Sequence, residues 1–313
     1  MPEGDTLHRA ANRLRPALAG ATLRRFEARR LLGDRPTVGV TIRDVEAVGK
    51  HLLIHFADGL TLRTHLGMPG SWHLYPDGAR WRKPRHLVRA LVAVDGWEAV
   101  CFSAPQVQTY RPDQPGGALG TGRDPVGHLG PDLCTPDVDL EAAVARFDTV
   151  AEAGTEMAVA LLDQRIASGI GNVYKSELLH RCRVDPFVAV GEVPVAVRRQ
   201  LLEAANRLLL HNLTTTSRTT VAGPVGSVAV YGKARRPCPR CGTPIRMVRH
   251  GLQNRSTYWC PRCQPPGSTG HVPESPSSRR PLTGQRSSDG HQSTPFRGES
   301  HGRRSVRSDH HPP

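Results

Sequence analysis

The chain begins Met1-Pro2-Glu3-Gly4-Asp5-Thr6, and the chemistry open to these residues organises everything that follows. A small residue follows Met1, so removal of Met1 is expected, leaving Pro2 as a free secondary amine. An α-amino group titrates at about 7.7–8.0, against about 10.4 for a lysine, so a useful fraction is unprotonated near neutral pH. Condensation of a secondary amine with a sugar aldehyde gives a charged iminium, an electron sink that favours loss of phosphate by elimination. Glu3 stands beside it as an acid or base. Leu7, Ala10, Ala11, Leu14 and Leu18 then recur at helical spacing, with Asp5 or Thr6 placed to cap the helix. Amine and carboxylate therefore enter at a helix N-terminus, an end that attracts anions such as phosphate. Taken alone, the same residues are an ordinary translation start, so the rest of the chain has to support the chemistry.

Composition points to a polyanionic partner. The 313 residues suffice for two domains with cores of their own. Lys and Arg number 42 against 28 Asp and Glu, a formal charge of +14. Aromatic residues make up only 5%, which argues against broad base-stacking platforms. No apolar signal region follows the start, and the most apolar stretch, residues 87–102, is broken by Arg89, Asp95 and Glu98. The expectation is a cytoplasmic, nucleoid-associated protein.

Cys238-x2-Cys241 and Cys260-x2-Cys263, with eighteen residues between the pairs, have the spacing of two thiolate knuckles around one structural Zn²⁺. Metal binding would supply the folding energy of a ribbon too small for its own core. Cys101, Cys134 and Cys182 are expected as small core residues.

From Thr22 to Phe102 the pattern is of short strands and turns. Leu52, Ile54 and Phe56 alternate with His51, Leu53 and His55, and Asp58-Gly59 is a hairpin signal. A two-residue loop there sets Lys50 opposite Gly67, beside Met68. Residues 103–135 form a Pro/Gly-rich connection, and beyond Asp137 the periodicity is helical through Leu209. Expected domains are 1–135, 136–233, a ribbon at 234–264 and a disordered basic tail at 265–313. In Ser168-Gly169-Ile170-Gly171-Asn172, glycines allow a tight turn and close approach to phosphate, and Asn172 can cap the next helix. Between the knuckles a hairpin carries His250, Gly251, Asn254 and Arg255 in its loop, where an arginine can make a bidentate phosphate contact. Asn254 tolerates the left-handed conformation that such a turn uses.

MPEGDT, GKHLL, THLGM, LLDQRIASGIGNVYKSELL and QNRSTYWCPRCQ, in that order, resemble the formamidopyrimidine-DNA glycosylase/endonuclease VIII family over residues 1–264. The Gly-Asp-Thr variant of the start looks more like the endonuclease VIII branch. The resemblance implies an α+β fold. An antiparallel β-sandwich with flanking helices is followed by a helix-two-turn-helix domain with a zinc-ribbon β-hairpin. It also implies a monomeric glycosylase and abasic-site lyase acting on double-stranded DNA with oxidised bases or abasic sites. Pro2, Glu3, Lys50 and Arg255 would be catalytic. Met68, Asn172, Lys175 and Arg255 would hold the DNA, with Met68 filling the gap left by an extruded nucleotide. Pro69 replaces the family's more usual small polar residue, and Asn254 its glycine. The stretch from His211 to Lys233 looks shorter than the base-capping loop of the 8-oxoguanine-type branch. That weakens the case for a purine pocket and leaves the base open, with oxidised pyrimidines the preferred substrates and oxidised purines the alternative. A non-catalytic, zinc-containing DNA-binding protein would share the charge, helix hairpin and ribbon, but would not need Pro2, Glu3 and Lys50 together.

Overall fold

The computed structural model describes residues 2–112, 124–215 and 217–270. Helix α1 (Gly4–Leu18) buries Leu7, Ala11, Leu14 and Leu18, the stripe that its period demands. Its cap position is Glu3 rather than the expected Asp5 or Thr6, because the helix starts as early as Gly4.

Eight strands follow: β1 (Arg25–Glu27), β2 (Ile42–Val48), β3 (His51–Phe56), β4 (Thr61–His65), β5 (Ser71–Pro76), β6 (Val88–Val94), β7 (Trp97–Phe102) and β8 (Gln106–Tyr110). They form two antiparallel sheets, β1-β6-β7-β5 and β2-β3-β4-β8. Ile54, Leu62, Val92 and Ala99 meet in the core that they share with α1. Strand β8 lies inside the stretch expected as a connection. Prolines at 105 and 112 mask five residues whose backbone completes the sheet beside β4.

The β3–β4 hairpin also corrects an expectation. Its loop has three residues, Ala57 to Gly59, with Phe56 N donating to Leu60 O and Gly59 in the left-handed region at φ +83°. Asp58 Oδ1 accepts Leu60 N at 3.1 Å, a side-chain turn that favours the longer loop. His51 then pairs with His65, which sets Lys50 level with Leu66 instead of Gly67.

The second half contains α2 (Leu140–Val150), α3 (Met157–Ala160), α4 (Asn172–Cys182) and α5 (Val195–His211) around Phe147, Tyr174, Leu178 and Leu201. Every residue of α4 except Arg181 is buried, so α4 is the central rod of this half. The hairpin of β9 (Arg246–His250) and β10 (Arg255–Trp259) packs against it. Cys101, Cys134 and Cys182 are buried, and loss of hydration pushes each thiol up from its ordinary range.

Packed chain continues past Gln264. Asp185 N donates to Ser268 O, Gly267 N donates to Asp185 Oδ2, and Thr269 bridges to Val184. The tail expected from residue 265 thus has its first six residues on the helical body. Residues 271–313 lie outside the described residues. No helix among the described residues is long and apolar enough to cross a membrane.

Candidate active site

Glu3 is fully buried and belongs to both halves of the molecule. Its carboxylate accepts Gly171 N at 3.1 Å, Val173 N at 2.9 Å and Tyr174 N at 3.3 Å, the unsatisfied amides at the start of α4. The anion seated at a helix N-terminus is therefore Glu3 itself, on α4 and not on α1. A Cβ at Gly171 would lie 2.4 Å from Glu3 Cδ, so only glycine leaves room for this carboxylate. Gly4 N donates to Gly169 O at 2.9 Å, clamping the start of the chain against the glycine turn.

Since Glu3 satisfies these amides, Asn172 becomes the first residue of α4 rather than its cap. Its side chain makes no hydrogen bond among the described residues and lines a cavity of about 370 Å³. That cavity is also bordered by Pro2, Lys50, Met68, His65 and Arg255. The amine-bearing residue, two cations, the free amide and the methionine thus converge, although they come from five separate segments.

Lys50 is the second residue of the β2–β3 turn, which Asp132 Oδ2 fixes by accepting Gly49 N at 2.7 Å and His8 Nε2 at 2.9 Å. Its ammonium has no hydrogen-bond or ion-pair partner among the described residues. Loss of hydration pushes its pKa down to about 8, against the attraction of Glu3 and helped by the charges of Arg255 and Arg218. Met68 is 67% exposed on the loop joining β4 to β5. Arg255 turns back to Gln253 Oε1 through Nε and Nη2, at 3.2 and 3.1 Å. Asn254 has φ +51°, the left-handed turn that asparagine accepts. The loop is Gly251 to Asn254, with Arg255 starting β10 opposite His250.

Comparison with known proteins covers nearly all of this architecture. Residues 1–106 match the formamidopyrimidine-DNA glycosylase N-terminal domain, 129–222 its H2TH domain, and 236–266 the zinc finger found in FPG and IleRS. A "Probable endonuclease 8 2" of Streptomyces coelicolor is 41% identical over 285 residues, 87% of this chain and 99% of that protein. The chain belongs to the formamidopyrimidine-DNA glycosylase/endonuclease VIII family. A "DNA-(apurinic or apyrimidinic site) lyase Nei2" of Mycolicibacterium smegmatis is 35% identical, covering 84% of this chain and 99% of the relative. The solved Thermus thermophilus MutM (FPG) is 27% identical with a TM-score of 0.66, covering 84% and 98%. A Lactococcus lactis FPG variant solved with Fapy-dG-containing DNA shares the fold at TM-score 0.68 and 21% identity, covering 84% and 100%.

The family's zinc finger has its donors in place. Sγ atoms of Cys238, Cys241, Cys260 and Cys263 lie within 4.8 Å of one another, with Cys238–Cys263 at 3.9 Å and Cys241–Cys260 at 3.4 Å. Zinc–sulfur bonds of about 2.3 Å in a tetrahedron require sulfurs about 3.8 Å apart, so these thiolates fit Zn²⁺.

Lys175, expected at the DNA, also serves the packing of the finger. It is buried, and its ammonium donates to Ser256 O at 3.0 Å and Thr257 Oγ1 at 2.8 Å, pinning β10 to α4. These two bonds dock the finger on the helical body.

Arg218 carries weight that sequence reasoning missed. Its guanidinium grips Asp5 through Nε at 3.0 Å and Nη2 at 2.5 Å, stacks 4.9 Å over Tyr174 and lies 3.7 Å from Glu3 Oε1. Burial opposes its charge, but Glu3 and Asp5 outweigh burial and hold its pKa above the usual range. A single arginine in a Thr-rich stretch gave no local signal. His65 was also missed within the quoted THLGM motif, although it lines the cavity. Burial first, then Arg63 and the nearby cations, push its pKa down to about 4, so it is neutral near pH 7.

Proposed function

We propose that this protein is a bifunctional base-excision repair enzyme that removes oxidised bases, pyrimidines by preference, and then cuts the strand at the abasic site. The observation that carries the reading is the single cavity shared by Pro2, Lys50, Asn172, Arg255 and Met68. With Met1 removed, the Pro2 nitrogen pair bonds to C1′ while the glycosidic bond breaks, its electrons leaving with the protonated base. Ring opening gives the iminium, and loss of a C2′ proton expels the 3′ phosphate. Glu3 handles protons at the sugar, and its three amide bonds fix where it acts. Lys50 supports the leaving base and a phosphate. The free Asn172 amide and Arg255 hold the flanking phosphates, which gives affinity without sequence preference. Met68 occupies the space vacated by the extruded nucleotide. One Zn²⁺ stiffens the finger that presents Arg255 and takes no part in the chemistry. Such an enzyme would work as a monomer on double-stranded DNA at the nucleoid.

A preference for pyrimidines is supported by the segment after α5. Asn212 holds Thr219 N, and Glu177 accepts Ala229 N, Val230 N, Tyr231 N and Thr220 Oγ1, which ties the segment down near both ends. Little chain is left to reach over a larger base. Protein lacking Met1 is expected to nick an oxidised-pyrimidine duplex faster than an oxidised-purine duplex. Faster nicking of the purine duplex would reverse the preference, and binding without nicking would make the protein a plain DNA binder.

A further inference from the structure

Outside the cavity, the segment between β5 and β6 carries Arg80-Trp81-Arg82-Lys83-Pro84-Arg85 across the outward face of the β1-β6-β7-β5 sheet. Ala79, Trp81 and Leu87 cover Tyr75, Leu91, Val100 and Phe102 there, so the segment is packed down. A groove of about 670 Å³ runs beside it, with Arg25 and the four cations of residues 80–85 facing two carboxylates, Asp77 and Glu98. Glu98 is already engaged by Arg25 Nη2 at 2.5 Å and Trp81 Nε1 at 2.8 Å. Arg85 stacks 5.3 Å over Trp81 and lies 3.8 Å from Glu27. Arg80 and Arg82 are exposed, and their guanidinium groups make no hydrogen bond or ion pair among the described residues. These two therefore retain their donors, although Asp77 lines the same groove.

The segment is tied to the strand that follows the Met68 loop. Lys83 Nζ donates to Ser71 Oγ at 2.8 Å, and Ser71 begins β5 three residues after Met68. We propose that Arg80 and Arg82 form an accessory phosphate-binding track that extends the DNA-binding surface past the Met68 loop along the outside of the sandwich. This rests on the reading of the protein as a DNA-repair enzyme. Guanidinium forks suit phosphate oxygens bidentately, and contacts of this kind add affinity and salt dependence without reading sequence. The track would hold the enzyme on undamaged duplex beside the lesion.

The test is fluorescence anisotropy of protein lacking Met1 on duplexes with a non-cleavable abasic analogue, across a salt series. The series uses lesion-centred duplexes of about 12 and about 30 base pairs, and under the proposal only the longer one engages the track. On the long duplex, Arg80→Gln with Arg82→Gln should lower the slope of log K against log salt by about 2 and weaken low-salt binding roughly tenfold. On the short duplex the change should stay under about twofold. Arg80→Lys with Arg82→Lys should keep most of the slope, which separates charge from any structural role. Equal losses on both duplexes, or no loss on the long one, would overturn the track. Failure of the unaltered protein to prefer abasic over undamaged duplex would instead defeat the functional reading, while the length dependence would still judge the track.

Discussion

Glu3 reaches from the start of α1 to the first turn of α4 and satisfies three amides there, so the residue beside the proposed nucleophile also holds the two halves together. The position of Glu3 beside Pro2 was legible in the sequence. Its partner was not, because the amides lie about 170 positions away and no local pattern encodes such a contact. For the same reason Gly171 read as a residue for a tight turn and close approach to phosphate, and not as the neighbour of Glu3. Gly171→Ala should displace the Glu3 carboxylate and cost about 2 kcal/mol or more, lowering the melting temperature by several degrees. An unaltered melting curve would mean that Glu3 is not seated at α4. Lys50 gives a pH prediction. Burial lowers its pKa to about 8, so the ammonium is present below that value and lost above it. Affinity for an abasic-analogue duplex should fall as pH rises through about 8, well before an ordinary lysine at about 10.4 would discharge. Lys50→Met should remove that part of the profile. On stability the sign is opposite. The penalty for burying the charge is full below about 8 and is relieved between there and the unfolded value.

Elements were read well where periodicity spoke and poorly where turn chemistry or edge pairing decided. The helices appeared from their apolar spacing, and the ribbon from its cysteines. The β3–β4 loop came out one residue longer because Gly59 serves either turn, and the side-chain bond of Asp58 chose between them. Strand β8 hid between prolines because half of its case is the hydrogen-bonding edge of β4, which sequence does not show. Lys175 looked like surface charge in a motif near phosphate, yet its ammonium docks the finger. Lys175→Met should remove the ammonium that bonds Ser256 O and Thr257 Oγ1, at about 2 kcal/mol. The hairpin should then keep its zinc by metal analysis while DNA affinity falls through misplacement of Arg255. Lost salt dependence with unchanged stability would instead restore Lys175 to the DNA surface.

Across the whole molecule, both halves were legible because each carries its own pattern, alternation before residue 103 and helical spacing after 137. Their closure around Glu3, Asp5, Arg218 and Asp132 was not, since each of those contacts joins distant segments. The C-terminal limit moved for a similar reason: Ser268 and Thr269 find backbone partners at Asp185 and Val184. Truncation after Gly270 keeps these contacts, whereas truncation after Gln264 removes them and should lower the melting temperature further. An equal effect of the two cuts would show that residues 265–270 contribute nothing to the fold. The mechanism itself depends on one nitrogen. Borohydride added while protein lacking Met1 reacts with an abasic duplex should reduce the iminium to a stable protein–DNA adduct, and peptide mapping should place that adduct on Pro2. Protein that retains Met1 holds the same nitrogen in an amide and should neither trap nor cleave while still binding. An adduct on Lys50, or cleavage at the normal rate with Met1 in place, would contradict Pro2 as the nucleophile.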